Sequence, residues 1–178
     1  FVWEGGGFVG IGEPTAIHFC GRFFQLADVL GVDQELGFSL STDKYFTHEQ
    51  EKHFLKEDRK EEFDFGESVK NVYALSEDTE IVEYSEGEIH ASAHLYGKGR
   101  GIYLAGLPYN YENTRLLMRS LYYSAGKEMQ MKRWFAENPL CEVHAYPETG
   151  KYAVVNNSGQ MQRTLIYDGE GKASLLCL

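Results

Sequence analysis

The first pattern of apolar positions along the chain has the period of a helix and covers residues 15–30. Its members recur every three or four residues and are Ala16, Phe19, Phe23, Leu26, Ala27 and Leu30. Apolar residues at this spacing form one face of an amphipathic helix, and Gly31 stands where a glycine commonly ends one. The pattern therefore predicts a helix over residues 15–30. A strand end at residues 1–3 and a tight glycine-rich loop are predicted before it.

Further along, the pattern becomes extended. Residues 35–41 form a short strand candidate, whereas residues 47–62 are dense in charge and predict an exposed helix or an irregular excursion. Residues 72–75, 81–84 and 89–96 are also strand candidates. Along the last of these, apolar and polar residues alternate in the order Ile89, His90, Ala91, Ser92, Ala93, His94, Leu95. This alternation predicts a strand with one buried face and one face in water.

An uninterrupted apolar run follows at residues 102–106. Such a run is typical of a central parallel strand that helices cover on both faces. Residues 110–125 then predict a second helix, with Asn110 as its N-cap and Gly126 just after its end. Strand, turn and helix in this order favour an α/β fold built on a parallel sheet.

Beyond this helix the chain changes character. Turn residues cluster at 147–150, 157–159 and 168–171, between short extended segments. This punctuation predicts hairpins in a small antiparallel β module. We therefore divide the chain into residues 1–127 and residues 128–178.

Charge and cysteine content restrict the function classes. The chain has 178 residues with 17 Lys and Arg against 27 Asp and Glu, a net charge of −10 that repels polyanions. Nucleic acid and acidic membranes are therefore excluded as expected partners, and no apolar stretch approaches a membrane span. The three cysteines, Cys20, Cys141 and Cys177, are far apart and fit neither a disulfide framework nor a zinc site. A reducing cytoplasm is the expected compartment.

The two ends of the sequence suggest a piece of a longer chain. It begins at Phe1 without an initiator Met and stops inside an apolar run at residues 175–178. We therefore expect a fragment whose last strand is cut.

The histidines and the glycine-rich segment are the candidates for chemistry. Gly5, Gly7 and Gly10 formally match a dinucleotide-binding fingerprint, but Gly12 and Pro14 postpone the helix that would face a pyrophosphate. Cys20 near His18 is interpreted as a packed cysteine rather than a nucleophile. The other histidines considered are interpreted as surface residues that lack the further ligands a metal needs; they are His48, His53, His90 and His94.

Three longer segments carry a family resemblance. The strings GGGFVGIGEPTA at residues 5–16 and GRFFQLADVLGVD at residues 21–33 closely resemble the galactoside phosphorylases of glycoside hydrolase family 112. GIYLAGLPY at residues 101–109, with Glu112, Asn113 and Arg115 after it, is similar to the same family. The resemblance covers most of the chain.

The resemblance implies a fold. Such enzymes have a (β/α)-barrel, then an α/β domain like a class I glutamine amidotransferase, then a small β domain. Residues 1–127 would be the end of an amidotransferase-like (flavodoxin-like) parallel-sheet domain, and residues 128–178 an incomplete antiparallel β domain. The amidotransferase triad is absent, since residues 107–109 read Leu-Pro-Tyr where a His-Pro-Glu-like sequence would stand.

It also implies an activity of the parent protein. This is the reversible phosphorolysis of β-galactosides, such as β-1,3-galactosyl-N-acetylhexosamine, to galactose 1-phosphate with inversion. The catalytic acid would lie on the barrel, so no catalytic residue is expected in this chain. Inorganic phosphate would be a co-substrate, no cofactor or metal is expected, and the enzyme would be a homo-oligomer.

The candidate contacts of this chain with phosphate or galactoside lie in and after the glycine-rich segment: Gly5, Gly6, Gly7, Gly10, Gly12, Glu13 and His18. Backbone N–H groups of a glycine loop at a helix N-terminus suit such ligands. The alternative is that the glycines only permit close packing. For the whole chain, the alternatives are a purely structural or oligomerisation module and a nucleotide-binding α/β protein.

Overall fold

A computed structural model describes residues 1–13, 23–35 and 49–178. The strands are β1 Gly7–Ile11, β2 Val32–Gln34, β3 Val72–Ala74, β4 Glu80–Ser85, β5 Glu88–Tyr96, β6 Gly99–Leu104, β7 Phe135–Ala136, β8 Cys141–Tyr146, β9 Lys151–Asn156, β10 Arg163–Tyr167 and β11 Ala173–Cys177. The α-helices are α1 Ala27–Leu30, α2 Tyr111–Ser124 and α3 Glu128–Met131. Short 3-10 helices span Val2–Glu4, Phe54–Lys56 and Pro147–Thr149.

The main sheet has four strands in the order β1-β6-β5-β4. β1 runs parallel to β6, whereas β5 is antiparallel to both β6 and β4. A separate antiparallel pair, β2-β3, lies on one side of this sheet. The C-terminal part contains the three-stranded sheet β11-β10-β7 and the hairpin β8-β9.

The prediction of an amidotransferase-like (flavodoxin-like) parallel sheet is wrong. Among the described residues, strands outnumber helices and form small, mainly antiparallel sheets. The turns at Glu86-Gly87 and Gly97-Lys98 are far too short for the crossover that a parallel pair needs, so β4, β5 and β6 form an antiparallel meander. The apolar run at residues 102–106 reflects burial on both faces, which does not depend on strand direction.

Both faces of the main sheet carry a core. On one face, Tyr103 and Ala105 pack with Phe24, Leu30 and Val72 from the α1, β2 and β3 region. The opposite core contains residues of β5 and β6 together with Leu55 and Leu116, among them Ala91, Ala93, Ile102 and Leu104.

The alternation along β5 therefore does not separate a wet face from a dry one. His90 and Ser92 are buried, while Leu95 at the strand's end is 62% exposed. Because elements cover both sides of the sheet, polar side chains of β5 are enclosed as well as the apolar ones.

The second predicted helix is confirmed as α2. The Asn110 side chain accepts a hydrogen bond from the N–H of Asn113 at 2.7 Å, which satisfies one of the free donors of the first turn. Gly126, just past the helix, has a φ of +65°. Of the helix predicted over residues 15–30, the described part contains α1, after which Gly31 has a φ of +73°.

Two other predicted segments are only partly described. The strand predicted at residues 35–41 falls almost wholly outside the described residues. The charged excursion is described from residue 49, where it is irregular except for the 3-10 helix Phe54–Lys56. Among the described residues, no helix is long and apolar enough to cross a membrane.

Two arginines of α2 join this helix to its neighbours. Arg119 donates from Nε to Asp58 Oδ1 at 2.6 Å and from Nη1 to the Phe54 carbonyl at 3.0 Å. Arg115 donates from Nη2 to the carbonyl of Ala136 at 2.8 Å, with its guanidinium 4.2 Å from the centre of the Phe135 ring. Arg119 thus attaches α2 to the irregular segment that contains Phe54 and Asp58, and Arg115 attaches α2 to the C-terminal part of the chain.

Arg119→Met should destabilise the protein strongly. The side chains of Arg119 and Asp58 are 2% and 4% exposed, so the substitution takes the hydrogen-bonded cation from a buried carboxylate and leaves it only the more distant Arg115, at 3.8 Å. Removing one partner of such a pair costs roughly 3–5 kcal/mol of unfolding free energy. Denaturant unfolding followed by circular dichroism measures the loss. Arg133→Met, which removes an exposed arginine, is the control, and equal stability of the two variants would contradict the structural role of the pair.

Candidate functional site

The glycine-rich segment is mostly a strand rather than a loop. Residues 1–3, predicted as a strand end, lie instead around the 3-10 helix Val2–Glu4, which ends at Gly5 with a φ of +116°. Gly7–Ile11 then forms β1, where Gly7 pairs with Arg100 and Gly10 with Tyr103. The prediction of a tight loop leading directly into a helix is therefore wrong for the described residues.

Close packing explains the glycine at one position of this strand. A Cβ on Gly7 would lie 2.5 Å from the carbonyl oxygen of Ser124, at the end of α2. Cβ atoms essentially never come this close to a backbone oxygen, so a side chain here would push α2 away from the sheet. Gly7 thus has a packing role whether or not the segment meets a ligand.

The end of the glycine-rich segment is more open. Gly12 donates its N–H to the carbonyl of Leu104 at 2.8 Å and has a φ of +69°. Glu13, which follows, is exposed. Both residues lie where the carboxyl ends of the parallel strands β1 and β6 meet. His18 and Cys20 fall outside the described residues. The other six predicted contacts lie along one extended segment, with Gly5 and Gly6 before β1 and Gly12 and Glu13 after it, so the structure does not bring all of them to one place.

A row of buried polar side chains lies on the neighbouring strands. Tyr103 is fully buried and stands opposite Ser92, two residues from His90 on β5. Within the described part of the chain, no hydrogen-bond partner is present for the Tyr103 hydroxyl, Ser92 Oγ or His90 Nδ1. Burial raises the pKa of Tyr103, and the charges of Glu88 and Glu13 raise it further, so the phenol stays neutral. The row offers neutral hydrogen-bonding groups.

His90 was interpreted as a surface histidine, and this is wrong. Its ring stacks on Phe65 with the centroids 4.9 Å apart. Burial lowers the pKa of His90, as does the charge of Lys70, against the opposing effects of Glu88, Glu83 and a hydrogen bond with the Ser85 backbone. The imidazole is therefore held in its neutral form.

His53 was also interpreted as a surface residue, and its side chain is only 6% exposed. Nδ1 accepts the N–H of Leu55 at 3.1 Å, which leaves Nε2 to donate to Glu80 Oε2 at 3.0 Å. Tyr123 also donates to this carboxylate, at 3.3 Å. The hydrogen bond from His53 lowers the pKa of Glu80. Both ring nitrogens are engaged, so this group orders the structure and is not a free base.

The described histidine, cysteine and acidic side chains do not cluster in threes. Across residues 1–13, 23–35 and 49–178, no three His, Cys, Asp or Glu side chains are placed to hold an ion together. At this end of the sheet, the described groups are the exposed carboxylate of Glu13 and, inside the fold, the buried polar row. Sequence reasoning missed Tyr103 and Ser92, because nothing in an apolar or alternating run indicates an unpaired hydroxyl.

Comparison with known families gives two matches along the chain. The family model of the lacto-N-biose phosphorylase central domain matches residues 1–129. That of the lacto-N-biose phosphorylase C-terminal domain matches residues 134–178.

Curated relatives match over nearly all of the chain. Two proteins of Lachnoclostridium phytofermentans named 1,3-beta-galactosyl-N-acetylhexosamine phosphorylase are 46% and 48% identical to it, each over 97% of the chain and 24% of the relative. A protein of the same name from Bifidobacterium longum subsp. longum is 39% identical over 96% of the chain and 27% of the relative. The chain thus spans about a quarter of the length of these relatives.

Gly7→Ala should destabilise the packing of α2 on the sheet. The new Cβ would overlap the Ser124 carbonyl, and overpacking of this kind costs roughly 1–3 kcal/mol of unfolding free energy. The midpoint of denaturant unfolding measures this change. Gly159→Ala is the matched control, because no described atom lies within 4 Å of a Cβ there. A Gly7→Ala variant as stable as the control would contradict the close approach.

Stability should fall as the pH drops below about 6.5, the ordinary pKa of histidine. Because folding lowers the pKa of His90, the unfolded chain binds a proton there that the folded protein does not, which favours unfolding in acid. Replacing His90 with Phe should flatten the fall between pH 7.5 and 5.5, as measured by urea unfolding at each pH. His144→Gln, at an exposed position, controls for the loss of a histidine. An unchanged slope in His90→Phe would contradict the neutral buried imidazole.

Proposed function

Since the chain belongs to the lacto-N-biose phosphorylase family, we propose that it is part of an enzyme that cleaves β-galactosides with inorganic phosphate. The observation that carries this proposal is the match of the family's central-domain model to residues 1–129. The relatives named 1,3-beta-galactosyl-N-acetylhexosamine phosphorylase suggest the substrate, a galactosyl residue joined 1,3 to an N-acetylhexosamine.

The proposed reaction breaks the bond between C1 of galactose and the linking oxygen. A phosphate oxygen attacks C1 from the opposite face, and a carboxylic acid gives its proton to the departing oxygen. The products are galactose 1-phosphate with inverted configuration and the free N-acetylhexosamine. We assign this acid to no residue of the chain and propose no cofactor, with phosphate as the second substrate.

The proposed contribution of this chain is a non-catalytic part that supports the substrate cleft. The residues proposed to meet phosphate or galactoside remain Gly5, Gly6, Gly7, Gly10, Gly12, Glu13 and His18. Within this set, Gly12 and Glu13 have the most favourable positions, because they lie at the open carboxyl end of β1 and Glu13 is exposed. Gly7 is better explained by packing.

A second candidate is a module for subunit assembly. Large apolar side chains exposed on and beside α2, such as Tyr109, Met118 and Leu121, favour it because such side chains are common in subunit interfaces. We propose a homo-oligomer on this ground. The reading as a nucleotide-binding protein is disfavoured, since Gly7 and Gly10 lie within β1 and not in a turn between a strand and a helix.

The proposed compartment is a reducing cytoplasm. Cys141 and Cys177 are free thiols, the first buried and the second exposed, which suits such a setting. The net charge of −10 opposes nucleic acid as a partner.

Assay of the full-length protein tests the activity. With phosphate and galactosyl-β-1,3-N-acetylglucosamine, it should release galactose 1-phosphate, and omission of phosphate should abolish release. Glu13→Gln should raise the KM for phosphate or galactoside severalfold, whereas Glu77→Gln, at an exposed position elsewhere, should leave both unchanged. Absence of galactose 1-phosphate would overturn the phosphorylase proposal. Unchanged KM values in Glu13→Gln would overturn only the contact made by Glu13.

A further inference from the structure

The helix α2 directs its charged side chains into the protein and its uncharged side chains outward. Its charged residues are Glu112, Arg115 and Arg119. Glu112 is 8% exposed, and the side chains of Arg115 and Arg119 are 10% and 2% exposed. Among the residues of α2, all of which the structure describes, no exposed side chain carries a charge. Since a surface helix normally turns its charged face to water, this pattern indicates that another structure covers the outer face of α2.

The exposed residues of α2 form a stripe along the helix. Tyr111, Met118 and Leu121 are 45%, 42% and 53% exposed. Thr114, within the helix, and Ala125, just after it, are also exposed. These five positions follow one another at alternating steps of three and four residues, the spacing at which the two helices of a coiled coil meet. We call the five residues the outer seam of α2.

A cavity of about 290 Å³ lies beside the first half of the outer seam. The residues of α2 that line it are Tyr111, Thr114, Arg115 and Met118. They are positions i, i+3, i+4 and i+7 of the helix, which is the set of four residues that surrounds the inserted side chain where two helices pack knobs-into-holes. The cavity wall that faces them includes Trp134. The cavity therefore suits one apolar side chain that projects from a facing helix.

Leu121, on the same helix, is such a side chain. It is 53% exposed and does not line the cavity. It stands three residues after Met118, whereas Arg115 stands three residues before it. When two copies of α2 lie antiparallel across a two-fold axis at Met118, Leu121 of each copy faces Arg115 of the other, at the cavity. The outer seam is thus complementary to itself, as a contact across a two-fold axis requires.

The charge of the chain also favours a second copy as the occupant of this face. Each chain has a net charge of −10, and like charges of this size oppose association. Two copies can approach through the outer seam without bringing exposed charges of α2 together. The face is therefore suited both in shape and in charge to its own copy.

We propose that α2 packs antiparallel against α2 of a second copy, around a two-fold axis at Met118, with Leu121 of each copy in the cavity of the other. This contact deepens the proposed homo-oligomer, on which it rests, by naming its surface and geometry. A stable interface buries about 800 Å² on each partner, so the helix pair forms its centre. Tyr109, which lines the cavity and is 91% exposed, extends it.

Sedimentation of the full-length protein tests the contact. The wild type should be a dimer or a larger oligomer with an even number of copies, and Leu121→Lys should halve its mass. We expect the Kd of the dimer to rise about a thousandfold, because each dimer contains the substitution twice and losing one central side chain typically weakens an interface about thirtyfold. Leu121 is more than half exposed, so the variant should fold. Met161→Lys, at a position that is 84% exposed and outside α2, should sediment as the wild type does.

A disulfide cross-link tests the position of the axis. Met118→Cys places the two new thiols opposite each other at the axis, so mild oxidation should join the chains into a covalent dimer on a non-reducing gel. The variant is made together with Cys177→Ser, which removes an exposed thiol. Met161→Cys in the same background is the control and should stay a single chain. Because Met118 is partly exposed and cysteine is smaller, this variant tests the contact even if Leu121→Lys folds poorly.

The outcomes separate this contact from the proposals on which it builds. A wild type that sediments as a monomer would overturn both the contact and the homo-oligomer, and would favour a segment of the longer polypeptide as the cover of α2. An oligomer that persists in Leu121→Lys and shows no cross-link in Met118→Cys would overturn the contact alone. Dissociation of Leu121→Lys without the cross-link would overturn the antiparallel geometry. Release of galactose 1-phosphate is measured separately and bears only on the phosphorylase proposal.

Discussion

The buried ion pair between Arg119 and Asp58 determines much of the arrangement around α2. An isolated charge in a protein interior costs several kcal/mol, so the carboxylate and the guanidinium must stay together in the folded state. Asp58 belongs to an irregular, highly charged segment that has few apolar anchors of its own. Its pairing with the helix fixes that segment on the sheet and, two residues later, brings the backbone of Lys60 and Glu61 to Glu112. Arg115 extends the same constraint to the C-terminal part through the Ala136 carbonyl.

These contacts explain which parts of the fold could be predicted from the sequence. The helix α2 and its Asn110 cap depend on residues within a few positions of one another, so local spacing was sufficient. The Arg119–Asp58 pair joins residues 61 positions apart, and a run of mixed charges gives no sign of which member will be buried. The prediction of strand direction was wrong for a related reason. The apolar run in β6 records burial on both faces, while direction is set by the short turns on either side of β5.

The candidate site was predictable only in part. A run of glycines indicates that the backbone must come close to something or adopt an unusual conformation, but not which of the two. Gly7 is a glycine because its backbone lies close to the end of α2. Gly12 instead adopts a left-handed conformation just after the strand. His53 and His90 were misassigned because their partners, Glu80 and Phe65, lie on elements 27 and 25 residues away in sequence, a distance that no local pattern spans. No sequence pattern indicated that the hydroxyl groups of Tyr103 and Ser92 would be buried without partners.

The parallel pairing of β1 with β6 brings two segments of the chain to one end of the main sheet. Because the two strands run the same way, the chain leaves both of them at one edge of the sheet. Gly12 and Glu13 follow β1 there, and β6 continues through residues 105–109 to Asn110, which caps α2. A single parallel pair inside a mainly antiparallel sheet therefore suffices to place the exposed carboxylate of Glu13 and the start of α2 at the same end of that sheet.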